Sequence, residues 1–307
     1  MVEWFEQLPE FIDFSEEVTL ADNSKIEQIY LRNNQYIAII GYKRLEDFAR
    51  FTSNEDPNII DTLEFMGLER VYLTGLKRRA VYRRSSEAIL RQYIPDYVCA
   101  TPNKQCMQCY NCYAYGGVIA VKNKTKAIRS RIKLTTSYSL QSAENALIDE
   151  EEFHIIVHKD FQMAQEKGED KKASIYTMNL IKPNTIFPFI DIIFNPSKFD
   201  LALFLKTIER SDKEGYGSRA SLLGTATTTI LAITHELTIS HRDLLNDLKL
   251  TENGVDASAL LQKMPANAIT KPEEISAILA EFEQLLEANK DKIWKGLPTE
   301  AKTKKKA

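Results

Sequence analysis

The sequence predicts an α+β fold, on three observations. Alternating, β-branched stretches recur through the first two thirds of the chain, at 26–31, 36–40, 71–76, 118–121, 128–137, 153–158 and 186–194. Helically spaced segments interrupt them and then take over the last third, with connections both short and long, which favours an α+β core over a parallel doubly wound sheet. All four cysteines crowd into fourteen residues, which reads as an inserted module.

Taken in order, the first two strands bracket Asn33-Asn34, a pair tolerant of the left-handed backbone of a tight turn. A short helix is expected at 45–51. The strand at 71–76 runs into a cationic stretch, and a helix is expected at 85–93, with Ser85 as its N-cap, Ile89 and Tyr93 on one face and Pro95 beyond its end. Between the strands at 153–158 and 186–194, residues 160–172 are polar and charged, the composition of a projecting loop or hairpin tip. Phe199, Leu203 and Leu205 to Ile208 lie at helical spacing, so a helix is read at 196–210. Further helices are expected at 242–248, 257–263 and 272–293, and the tail AKTKKKA is expected to be disordered.

Of 307 residues, 44% are hydrophobic and 27% charged, which excludes wholesale disorder. No apolar run is long enough to cross a bilayer. The start, MVEWFEQLPEF, carries acids and an early Pro where a secretion signal has a basic patch and an apolar stretch, so a cytoplasmic location is expected. A net charge of −3 argues against a nucleic-acid binder until its distribution is seen. Residues 71–133 hold thirteen Lys and Arg against two acids, a local +11 that leaves −14 for the remainder. A chain so polarised can bind phosphates on one face and stay soluble through the other.

The cysteines follow the pattern Cys99-x6-Cys106-x2-Cys109-x2-Cys112. Thiolates gathered in one loop repel each other unless a cation draws them together, and tetrahedral zinc takes four sulfurs. A closed structural zinc is therefore expected. Such a site keeps no open position for water and performs no chemistry. An iron–sulfur cluster remains the alternative, distinguished by its visible absorption.

Two elements point to phosphate. Arg129, Arg131 and Lys133 recur every second residue, as do Lys122, Lys124 and Lys126 before them, and in a strand period two puts each triplet on one face. Lys77, Arg78, Arg79, Arg83 and Arg84 precede the Ser-capped helix start, where free N–H groups and the positive dipole end favour an anion, so Arg83, Arg84, Ser85 and Ser86 are read as one phosphate grip. No Walker lysine follows a Gly-rich loop. Gly215-Tyr-Gly-Ser-Arg-Ala follows a helix end and not a strand, which removes the dinucleotide reading. His235-Glu236 lacks the zinc-protease spacing. No catalytic residue is nominated.

The stretch Arg84-Ser85-Ser86-Glu87-x-x-Leu90-Arg91 resembles the Arg-x-Ser-Ser-Gln-x-x-Lys-Arg signature of the Cas-seven superfamily, with Glu87 and Leu90 in place of Gln and Lys. Residues 128–140 and 181–187 are similar to strands of that family, and Gly215-Tyr-Gly-Ser-Arg219 to its Gly-rich loop. The Cys-rich insertion and the length look most like the subtype I-D member. These are the guide-RNA-binding backbone subunits of CRISPR effector (Cascade) complexes. The resemblance implies an RRM-like (ferredoxin-like) palm over 1–225, carrying a metal-binding insertion at 95–125 and a thumb hairpin at 150–178. A helical region at 226–298 and a tail at 299–307 would complete the chain. It also implies RNA contacts at Arg83, Arg84, Ser85, Ser86, Gly217 and Arg219, and copies polymerised in a helical filament along one guide RNA. The guide would pair with a target DNA strand, beside large, small and cap subunits. The competing reading is a metal-dependent nuclease or iron–sulfur protein acting on nucleic acid, and some type III relatives cut target with a loop Asp.

Overall fold

A computed structural model describes residues 2–14, 17–27, 35–51, 60–102, 104–121, 124–148, 154–157, 174–177, 180–217, 224–252 and 254–295. Its centre is strand β1, Tyr36–Leu45, an almost unbroken apolar run buried along most of its length. A hairpin of β2, Thr62–Phe65, and β3, Leu68–Leu73, leads into the long helix α1, Gly75–Tyr93. The cysteine-rich module follows, with α2 at Tyr110–Tyr115 and a hairpin of β4, Gly117–Val121, and β5, Lys124–Ile128. Next come β6, Ile132–Leu134, and β7, Ser137–Tyr138. The strands β8, His154–Val157, and β9, Ser174–Thr177, pair antiparallel. The remaining sheet and helices are β10, Ile186–Phe194, α3, Lys198–Glu214, β11, Ala226–Thr234, α4, His241–Asp247, α5, Pro272–Ala280, and α6, Phe282–Ile293.

The main sheet has the order β11-β1-β10-β6, antiparallel throughout. Its chain path is strand–helix–strand–strand–helix–strand, with α1 and α3 as the two helices. Because strand side chains alternate between faces, a sheet covered on both sides favours apolar residues at successive positions, and β1 meets that demand from Ile37 to Ile40. Ile37, Ile39 and Leu45 join Tyr82, Leu90, Phe187, Phe189 and Phe204 in one core with α1 and α3. Ala38, Ile40, Ile190 and Ala232 join Leu244, Leu248 and Leu260 on the other side. The C-terminal helices close over α3, with Phe282 stacked on Phe199 at 6.2 Å.

Several expectations are corrected here. The helix expected at 85–93 begins at Gly75, because the Thr74 hydroxyl accepts the Lys77 N–H as its N-cap. Ser85 and Ser86 are therefore mid-helix, and their hydroxyls are engaged by Glu214 and Asn111 instead of competing with the helical backbone. No helix forms at 45–51; Leu45 closes β1 and Ala49 bridges to Ile181. The basic strand expected at 128–137 is broken after Ile128, where Ser130 turns its hydroxyl to Ala114 O and Ile132 O. Ala226–Thr234, which falls in the stretch 226–298 expected to be helical, is an edge strand of the main sheet. The helix expected at 272–293 is two helices that meet at Glu281. Residues 158–173, which include the candidate thumb tip, lie outside the described residues between the paired arms β8 and β9.

The start of α1 abuts the edge strand of the sheet. A Cβ built on Gly75 would lie 2.0 Å from Leu134 O and 2.8 Å from Leu134 C, both backbone atoms that cannot swing away. Alanine is the better helix former by about 1 kcal/mol. Gly75→Ala is nonetheless expected to destabilise the chain by about 1–3 kcal/mol, since overpacking outweighs propensity. A denaturant midpoint at or above the parent's would contradict this.

Candidate metal centre and basic face

Local structure gathers the four sulfurs. Cys109 is the N-cap of α2 and Cys112 lies in its first turn, so the x2 spacing puts both on one side of the helix start. Met107 takes a left-handed φ of 57°, reversing the chain between Cys106 and Cys109. An antiparallel bridge between Ala100 and Lys104 folds the preceding loop back, which returns Cys106 to Cys99. All four Sγ atoms lie within 4.8 Å of one another, and none is in a disulfide. Cys99 and Cys112 are 3.6 Å apart and Cys106 and Cys112 4.0 Å. Four sulfurs around a tetrahedral ion at ~2.3 Å stand about 3.8 Å apart, so this set fits a metal ion.

The surroundings match that reading. Cys99, Cys109 and Cys112 are buried. Tyr97 Oη lies 3.1 Å from Cys109 Sγ, the Cys106 N–H donates to Cys99 Sγ at 3.4 Å, and Arg83 Nη2 donates to Cys112 Sγ at 3.4 Å. Hydrogen bonds from Cys106, then Cys109 and Cys99, hold the Cys112 thiol well below its ordinary range despite burial, and Arg83 adds to this. Burial, followed by its sulfur neighbours, pushes Cys109 up. Four thiols this close cannot all ionise without a cation.

The residues expected to grip phosphate divide into two groups. Arg84, Arg129 and Lys133 are exposed, while Lys77 and Arg79 are half-buried on the same helix. Burial lowers Lys77 against the pull of Asp61, and burial followed by repulsion from Arg83 lowers Arg79. The first turn of α1 contains no acid.

Five others turn their side chains to partners within the protein. Arg78 is fully buried and paired with Asp191, with its guanidinium also reaching Thr135 O and Ser137 Oγ. Arg83 faces the cysteine module. Ser85 donates to Glu214 at 2.5 Å and Ser86 to Asn111 at 2.7 Å. Arg131, expected beside Arg129 and Lys133, points the opposite way, to Asp200 at 2.7 Å. The break after Ile128 destroys the period-two register that would have aligned the three. Gly217 is half-buried, and Arg219 lies outside the described residues. So does Lys122, while Lys124 and Lys126 lie in β5.

Sequence reasoning missed the acids that claim these cations. Asp191 stands alone in the apolar run of β10, a signal in itself, since a lone carboxylate in a doubly covered strand requires a buried partner. Lys43 in β1 is the mirror case, paired with Asp212 at 2.9 Å.

Among the described residues no helix is long and apolar enough to cross a membrane. Among curated proteins, none shows significant sequence similarity. Among solved structures, the crystal structure of Thermofilum pendens Csc2 is similar at 16% identity, covering 86% of this chain and 91% of that one, with a TM-score of 0.50. The Methanopyrus kandleri Csm3 crystal structure matches at 13% identity over 84% of this chain and 98% of that one, with a TM-score of 0.45. The family described as Csc2 Crispr matches residues 22–303, nearly the whole sequence. On this match the chain belongs to the Csc2 Crispr family.

Proposed function

We propose that this chain binds a CRISPR guide RNA by its phosphate backbone and repeats along it as the backbone subunit of a type I effector complex, of subtype I-D. Its RRM-like palm is the β11-β1-β10-β6 sheet with α1 and α3, and the hairpin of β8 and β9 is the base of the thumb. In this reading the guide's bases stay free to pair with a target DNA strand, and neighbouring copies and the large, small and cap subunits complete the assembly. The chain is a scaffold and not an enzyme. Family membership carries the reading, and Lys77 and Arg79 on the acid-free first turns of α1, with the exposed Arg84, Arg129 and Lys133, supply the candidate surface. Zinc, held by Cys99, Cys106, Cys109 and Cys112, fills the metal centre and orders the module. With four protein sulfurs it leaves no position for a reacting water.

Two measurements test this. RNA of defined length should travel with the purified protein, and a metal assay should return one zinc per chain with no visible absorption. Changing Arg84, Arg129 and Lys133 together to Ala should weaken RNA binding and reduce the log–log salt slope by about 2, at roughly 0.7 per single-strand phosphate contact. Because all three are exposed, folding should be unaffected. An unchanged slope would place the RNA elsewhere.

A further inference from the structure

We infer that Arg83 is the positioning residue of the metal centre, offsetting the charge of its sulfurs and tying the centre to helix α1. This rests on the metal reading above. Four thiolates and one divalent cation carry a net charge of about −2 in a buried site, and buried charge is costly unless compensated. Arg83 is 4% exposed, and among the described residues it is the cationic side chain that hydrogen-bonds a ligand sulfur. Two of its nitrogens point into the module, Nη2 to Cys112 Sγ at 3.4 Å and Nη1 to Gly116 O, while Nε donates to Glu87 Oε1 on its own helix at 3.1 Å. Tyr97 and the Cys106 N–H are hydrogen-bond partners of other sulfurs but bring no charge.

The same face of α1 holds the loop around the ligands. Glu87 accepts the Thr101 N–H at 3.0 Å and its hydroxyl at 2.8 Å. Ser86 donates to Asn111 beside Cys112, and Arg91 donates to Cys99 O at 2.8 Å. Arg83, with Ser86 and Glu87 from the stretch 84–91, therefore faces the metal module. That stretch leaves Arg84 on the outside for RNA. Groups that hydrogen-bond a ligand hold it in place and raise metal affinity, by about 10–100-fold on mutation.

The test uses the full chain with zinc, or with cobalt as a coloured substitute. Arg83→Met should lower zinc affinity about 10–100-fold in competition with a chromophoric chelator. It should also shift the thiolate-to-cobalt charge-transfer band to lower energy, because a sulfur without its donor gives up electrons more easily. A role confined to packing would leave that band in place. Arg83→Lys should recover part of the affinity, and Tyr97→Phe should cost less than Arg83→Met. A folded Arg83→Met variant with parental affinity and band position overturns the inference. If that variant does not fold, Arg83→Gln keeps a donor without the charge, and parental affinity there overturns it equally. A parent chain that contains no metal would instead sink the metal reading itself.

Discussion

Replacing Cys106 and Cys109 together by Ser is expected to abolish metal binding and to lower the melting temperature by on the order of 10 °C or more. Two sulfurs cannot close the site, and a structural metal's binding energy is folding energy. The loss should spread beyond the loop. Cys99, Cys109 and Cys112 belong to the same apolar cluster as Tyr82, Leu90, Phe199 and Phe204 of α1 and α3. Phe14 stacks on Tyr113 at 4.7 Å, and Trp294 packs on Tyr97 at 5.1 Å, so both ends of the described chain lean on the module. The second core, built on Ala38, Ile40, Ile190 and Leu244, touches none of these residues and should persist longest. Elemental analysis and thermal melts check this. Full metal content in the double variant, or a parental melting temperature, would refute it.

What the sequence shows of this fold follows from which signals are local. The strand at 186–194 and the Cys-x2-Cys-x2-Cys spacing are local, and both appear where the sequence puts them. The start of α1 was not legible, because Ser85 is a good cap in isolation. Only tertiary contact shows that Glu214 and Asn111 occupy Ser85 and Ser86. The edge strand β11 was missed because ATTTILAIT lies between a Gly-rich loop and helical segments, and its pairing partner is remote in sequence. Charge counting found a real concentration of cations between residues 71 and 133 but could not assign their directions. Arg78 and Arg131 are spent on Asp191 and Asp200, both far outside that segment, and Arg83 is shared between Glu87 and the cysteine module. Formal charge thus overstates the surface potential, and among the described residues Arg84, Arg129 and Lys133 are exposed cations that contribute to it.

The Arg131–Asp200 pair makes the second large prediction. Asp200 is the N3 residue of α3 and completes a capping box with Ser197. Its carboxylate accepts from Arg131 Nη2 at 2.7 Å and Nη1 at 3.1 Å, from Tyr110 Oη at 2.6 Å, and from Ser197 N and Oγ at 2.9 and 2.7 Å. It therefore joins the turn before β6, the metal module and the start of α3. Burial pushes this carboxyl up, but the Arg131 charge, then the hydrogen bonds from Arg131, Tyr110 and Ser197, outweigh it and hold it below its ordinary value. Arg131 is shifted upward by the same pairing against its own burial. Asp200→Ala leaves a buried guanidinium and a buried phenol without their acceptor, so a loss of about 3–5 kcal/mol is expected. Asp200→Asn keeps the volume and one acceptor and should cost less. The sign with pH follows from the lowered value: the folded carboxyl ionises more readily than the unfolded one, so its stabilisation is present above the ordinary carboxylate range and is lost as pH falls through the folded value. Urea midpoints of the parent should therefore rise between about pH 2 and pH 5 by more than those of Asp200→Ala. Equal midpoints at neutral pH, or parallel pH profiles for parent and variant, would show that the pair does not hold these elements together.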